Sequence, residues 1–158
     1  MCRAVLAARE IRSHLTGLEA AGARAAYAQA DVRDAAGLGD AVTRIQAEHG
    51  PVRGLVFGAG VLADKLIADK TPEQFDAVFL TKVAGLRHVL GALDLRELKV
   101  LALFSSSTAR FGRSGQSDYA MANEVLNKAA RLLSRRLNGC RVAAFDWGPW
   151  EGGWSTSP

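Results

Sequence analysis

Short apolar runs ending in glycine or serine alternate along this chain with longer amphipathic segments. That alternation constrains the fold more than any other feature. Val52–Phe57 is one such run and meets Gly58-Ala59-Gly60; Val100–Phe104 is another and enters Ser105-Ser106-Ser107. Both read as buried strands running into tight loops. Arg24–Ala30, ending at Asp31, and Arg141–Phe145, leading to Trp147-Gly148-Pro149-Trp150, read as two more strands.

Helical patterns separate these runs. Ile11, Leu15 and Leu18 recur at steps of four and three, with Ala8 and Ala21 extending the face and Gly22 as C-terminal cap. A second helix is expected over Ala35–Glu48, stopped by His49-Gly50-Pro51. Thr71-Pro72-Glu73-Gln74 opens a third, with Thr71 as N-cap, Pro72 in the first turn and Gln74 closing a capping box. Phe75, Val78, Phe79, Val83, Leu86 and Leu90 give it an apolar face. After a turn at Gly112–Gly115, a long helix runs from about Ser117 to Leu137. Strands alternating with helices predict an α/β fold with a parallel sheet, in which ligands bind beyond the carboxyl ends of the strands. Asp31, Gly58, Ser106 and Gly148 fall at those ends.

At 158 residues the chain suits one domain. Hydrophobic residues make up 49% and charged residues 23%, an ordinary balance for a globular protein. No apolar run nears the roughly 20 residues that span a bilayer, and no secretory leader is visible, so the expected location is the cytoplasm and no membrane is a partner. Cys2 and Cys140 lack metal-type spacing and His14, His49 and His88 are scattered, so no metal is expected. A net charge of +4, with no aromatics interleaved in a basic stripe, argues against nucleic acid and equally suits an acidic partner protein.

The chemistry gathers on four residues. Ser106 follows a strand, Tyr119 lies near the start of the long helix, Asn123 shares its face one turn on, and Lys82 sits on the preceding helix. Carbonyl reduction by a nicotinamide needs a proton donor, a group that makes the donor acidic enough, and a holder for the carbonyl oxygen. Tyrosine, with a pKa near 10, serves at neutral pH only beside a cation. Taken singly, each of the four is commonplace on a surface or in a core; their combination in this order is more specific.

Phe-Ser-Ser-Ser at 104–107, Gly115-Gln116, Tyr119-Ala-Met-Ala-Asn123 and Trp147-Gly-Pro-Trp150 resemble the ketoreductase domains of modular polyketide synthases, of the short-chain dehydrogenase/reductase superfamily. Lys82 on the helix before the serine strand matches the arrangement of those synthases. Gly58–Lys65 and Asp69–Phe75 are especially similar to the ketoreductases of polyunsaturated-fatty-acid synthases. The resemblance covers about residues 5 to 153. It implies Tyr119 as proton donor, Ser106 as carbonyl holder, Lys82 acting on Tyr119 and the nicotinamide ribose, and Asn123 holding a water or the lysine. NADPH is the implied cofactor: Asp31 and Val32 would border the adenine, Gly58, Ala59 and Gly60 a ribose, and Gly148 and Pro149 the nicotinamide. The implied substrate is a β-ketoacyl thioester on an acyl carrier protein, with other synthase domains as further partners. Leu62-Ala63-Asp64 resembles the Leu-Asp-Asp motif of reductases giving the (3R)-hydroxyacyl product, and Phe111 stands where the opposite class carries tryptophan, so Asp64 and Phe111 would orient the substrate. The motif's middle aspartate is alanine here, and Phe57 stands where the family often shows histidine.

A complete domain of this kind begins with a strand, a glycine-rich turn and a helix that receive the cofactor pyrophosphate. Nothing like Gly-x-Gly-x-x-Gly precedes the first strand here. The expectation is a partial Rossmann-like, doubly wound parallel sheet lacking the family's first two strands and that turn. Arg24–Ala30 must then leave a gap or pair with Val52–Phe57. Residues 1–150 are expected to form the catalytic portion and 151–158 a flexible tail, the chain stopping short of the family's substrate lid. Two further readings stay open: a non-catalytic remnant or docking module, and a small-molecule dehydrogenase unrelated to carrier proteins.

Overall fold

The computed structural model describes residues 2–149, with side chains from residue 5 onward; Trp150 and the expected tail 151–158 lie outside the described residues. Helix α1 (Cys2–Ala20) comes first, and the Gly22 amide donates to Glu19 O beyond its end. Helix α2 (Ala35–His49) follows, then strand β1 (Gly54–Phe57), helix α3 (Pro72–Gly91) and strand β2 (Val100–Ser106). A short helix α4 (Thr108–Phe111), the long helix α5 (Ser117–Arg136) and strand β3 (Arg141–Trp147) complete the order.

Local chemistry sets the helix starts. The Asp34 carboxylate accepts the amides of Ala36 and Gly37 at 3.2 and 3.1 Å, capping α2. Both halves of the capping box form at α3: Gln74 N donates to Thr71 Oγ1 at 3.3 Å, and Thr71 N donates to Gln74 Oε1 at 3.1 Å. Each bond satisfies an amide that a helix start would otherwise leave unpaired.

Among the described residues the sheet has the order β1-β2-β3, all parallel. Phe57 pairs with Leu103, and Phe104 with Phe145. Alternation along each strand sends Phe57, Leu101 and Leu103 to one face, where they pack with Leu86 and Val89 of α3 and Leu126 of α5. Leu38 of α2 joins the same core.

Two expectations are corrected. Arg24–Ala30 joins no ladder, so it neither pairs with Val52–Phe57 nor forms a strand. A strand exists only where a neighbour takes its amides and carbonyls, and local β-propensity did not supply one. The strands expected to be buried on both faces are covered on one only, because the helices packed on them, α3 and α5, share a face: Val56 is 64% exposed and Val100 46%. The expected turn at Gly112–Gly115 is present, and a short helix, α4, precedes it, so Phe111 sits on that helix.

Candidate functional site

A cavity of about 410 Å³ opens beyond the carboxyl ends of the strands. Gly58, Lys82, Ser106, Phe111, Tyr119 and Pro149 all line it, drawn from six separate stretches of chain. Leu62, Arg113, Gly148 and Trp147 complete much of the wall. Residues far apart in sequence meet here because parallel strands end on one edge of the sheet and the helices return over one face.

Lys82 is 3% exposed, held on the buried side of α3. Its Nζ donates to Phe104 O at 2.9 Å and lies 5.6 Å from the centroid of the Tyr119 ring. Burial disfavours the ammonium and pulls its pKa down from 10.5 to about 8. Tyr119 is half-buried in the first turn of α5, so its ring reaches the cavity while its backbone is fixed by the helix. Asn123, fully buried one turn later, donates from Nδ2 to Tyr119 O at 2.8 Å. Its Oδ1 is buried with no protein partner, an acceptor that a water or a bound group would satisfy. Ser106 Oγ accepts the Thr108 amide at 3.2 Å, which leaves its own proton free to donate into the cavity.

Of the Leu62–Asp64 stretch, Leu62 lines the cavity and the expected substrate-orienting Asp64 does not. Asp64 Oδ2 accepts from Gln116 Nε2 at 2.7 Å, and the Gln116 oxygen takes the Thr108 hydroxyl at 3.4 Å. Lys65 N donates to Gly115 O at 3.0 Å. Gly115 has φ +80, a conformation that favours glycine, while a Cβ there would meet the Lys65 amide nitrogen at an ordinary contact distance of 3.5 Å.

Not every expected site residue reaches the cavity. Asp31 is exposed at the surface and pairs with Arg33 at 2.9 Å, whose hydrogen bonds and charge lower its pKa. Val32 packs on α3: its carbonyl is bonded to His88 Nδ1 at 2.9 Å, and its side chain fills the space over Gly85. Ala59 packs against the hydrophobic core, and neither it nor Gly60 is among the cavity-lining residues. At Gly58 an added Cβ would meet only the Phe104 ring, at 3.7 Å, so any crowding there would come from a bound molecule. Sequence reasoning missed Thr108 and Arg113 in the wall, and a buried pair beside it, Lys70 and Asp118. The pair's members stand 48 residues apart, and no local spacing links them. Among the described residues no group of three His, Cys, Asp or Glu side chains is placed to hold a metal, and no helix is long and apolar enough to cross a membrane.

Sheet and cleft together define a Rossmann-like α/β protein, and the solved structures that match it include ketoreductases. The N-terminal ketoreductase of a macrolactin assembly line superimposes with a TM-score of 0.85 and 29% identity, covering 90% of this chain and 30% of that one. The ketoreductase of the first module of phoslactomycin biosynthesis in Streptomyces sp. HK803 gives 0.78 and 37%, over 88% of this chain and 31% of that one. A polyunsaturated fatty acid synthase polypeptide from Thraustochytrium sp. is 48% identical over 153 residues, 96% of this chain and 5% of that polypeptide. Polyketide synthase GfsA of Streptomyces halstedii is 38% identical over 146 residues, 92% of this chain and 2% of that polypeptide. The chain thus spans a small part of the synthases it matches and under a third of those two solved chains. The family model of the KR domain matches residues 1–152, and the chain belongs to that family.

Proposed function

We propose that this chain carries the catalytic wall of a β-ketoacyl reductase, with residues 1–150 acting as one unit within a polyketide or polyunsaturated-fatty-acid synthase. NADPH is the hydride source and an acyl carrier protein presents the ketone as a thioester. The observation that carries this reading is the convergence of Lys82, Ser106 and Tyr119 on one cavity at the carboxyl edge of the sheet. Glycine at 58 and 148, Pro149 and the unpartnered Asn123 oxygen suit the nicotinamide-ribose end of the cofactor.

Lys82, Tyr119, Gly148 and Pro149 would hold the nicotinamide end of the cofactor, which when bound would supply the hydride. Ser106 keeps its proton and donates a hydrogen bond to the carbonyl oxygen, holding it within reach of Tyr119. Tyr119 gives its hydroxyl proton to the oxygen as charge develops there. Lys82, in its ammonium form, stabilises the resulting phenolate and makes the phenol acidic enough to serve. Asn123 fixes the first turns of α5 through the Tyr119 carbonyl and offers Oδ1 to a water that can return the proton. Asp31 and Val32 mark the adenine end, with Val32 held in place by His88 and α3. Asp64 and Phe111 flank the acyl entrance and set which face of the ketone is reduced, giving the (3R)-hydroxyacyl product.

The test is to supply the natural polypeptide containing this sequence with NADPH and a β-ketoacyl thioester, follow nicotinamide oxidation, and separate the product by chiral chromatography. NADPH-dependent formation of the (3R) alcohol is expected. A predominantly (3S) product removes the role given to Asp64 and Phe111. The partly exposed sheet face, with Val56 64% and Phe145 43% exposed, favours a second reading in which the stretch serves as a structural or docking module. No turnover by a folded, cofactor-binding polypeptide selects that reading.

A further inference from the structure

Lys70 and Asp118 form an ion pair at 2.8 Å whose side chains are only 3% and 1% exposed, and neither lines the cavity. Lys70 stands one residue before the cap of α3, and its Nζ also donates to Ala63 O at 2.6 Å. Asp118 lies in the first turn of α5, and its other oxygen accepts the Tyr119 amide at 2.9 Å. The start of α3, the backbone of the Leu62–Asp64 stretch and the backbone of Tyr119 are therefore joined through two buried side chains.

We infer that Lys70 and Asp118 are positioning residues: their buried pair sets where the Leu62–Asp64 stretch stands relative to Tyr119, and so how the ketone is presented. The inference rests on the reductase reading and deepens it. A buried ion pair is a weak source of net stability, because two charges must be stripped of water to form it. Apolar residues of similar volume would hold the same space at no loss. They would not hold it in one direction. Nζ bonded at once to Ala63 O and Asp118 fixes loop and helix at hydrogen-bond distance, whereas methyl groups slide. The neighbouring Asp64–Gln116 and Lys65–Gly115 bonds span the same gap and depend on the same spacing.

The discriminating variant is Lys70→Met combined with Asp118→Leu in the natural polypeptide containing this sequence. A purely structural pair predicts parental behaviour, since the fold keeps its packing. A positioning pair predicts amide hydrogen exchange in residues 61–69 faster by about 10-fold. It also predicts kcat/KM for the thioester lower by about 10- to 100-fold, as misplacement by around an ångström costs. The ratio of (3R) to (3S) product should fall by about 10-fold while affinity for NADPH holds within about twofold. Lys70→Arg, which keeps charge and donors, should preserve the product ratio. If the double variant does not fold, Asp118→Asn, which keeps size and one acceptor, gives the same readouts in milder form. Parental exchange and parental product ratio in whichever variant folds overturn the inference. A parent that folds but reduces no thioester defeats the reductase reading instead, and the exchange measurement still decides whether the pair ties the loop to the helix.

Discussion

Tyr119 has one group to offer the cavity that phenylalanine lacks, its hydroxyl. Tyr119→Phe is expected to lower kcat by about 10² to 10⁴-fold, the range for a lost general acid, with NADPH affinity kept. Near-parental turnover of a β-ketoacyl thioester would remove Tyr119 from the donor's role. Lys82 carries a pH signature. With burial holding it near 8 rather than 10.5, the folded protein gives up this proton before the unfolded chain does. Between those two values the unfolded state binds more protons, so this residue makes stability rise with pH, by roughly 3 kcal/mol in all. In the proposed mechanism activity runs the other way, because there the ammonium form assists Tyr119: kcat/KM should decline as pH rises through about 8. Denaturant unfolding across pH 7 to about 11 checks the first, and a pH–rate profile the second. Lys82→Met should flatten the stability rise, and a rise that persists in that variant assigns it elsewhere.

Helix α3 does more than carry Lys82. Its Gly85 lies so close to Val32 that an added Cβ would stand 2.8 Å from Val32 Cγ2, and a β-branched neighbour has little freedom to give way. Gly85→Val should therefore destabilise by about 1–3 kcal/mol through overpacking. It should also weaken NADPH binding, because Val32 stands at the proposed adenine end. Thermal unfolding and a cofactor titration measure the two effects, and an unchanged affinity would separate Val32 from the cofactor. Gly85 gives no sign of this in the sequence, where it is one small residue inside a helical pattern. The capping box at the same helix was fully legible, because Thr71, Pro72 and Gln74 act on amides within three residues of themselves.

At the scale of the whole molecule, one sheet face carries Phe104, Phe145 and Trp147 in mutual ring contact, centroids 5.5 to 6.4 Å apart, with Phe145 43% exposed. Among the described residues, β1 leaves one edge of the sheet unpaired and β3 the other. Exposed edges and apolar faces invite pairing with another chain. The 158-residue chain by itself is expected to self-associate, and sedimentation across a concentration series would show a mass rising with concentration. It is also expected to bind NADPH weakly, because its 158 residues hold no Gly-x-Gly-x-x-Gly turn of the kind that receives a pyrophosphate at a helix start. Calorimetric titration giving micromolar affinity in a monomer would refute both.

Read alone, the sequence determined what depends on near neighbours and on pattern. The α/β class, the parallel strands β1, β2 and β3, the starts of α2, α3 and α5, and the order of Lys82, Ser106, Tyr119 and Asn123 all came from periodicity, caps and motif. Tertiary structure alone decided what depends on partners distant in sequence. Arg24–Ala30 has a strand's composition and no ladder to join. Val56 and Val100 are apolar and stand exposed, because packing of α3 and α5 on one face buries only alternate residues. Lys70 and Asp118 look like two solvated charges until the fold removes both from water and sets them 2.8 Å apart. Pairing, burial and ion pairing are properties of two surfaces brought together, and one-dimensional order carries them only where the partners lie within a few residues of each other.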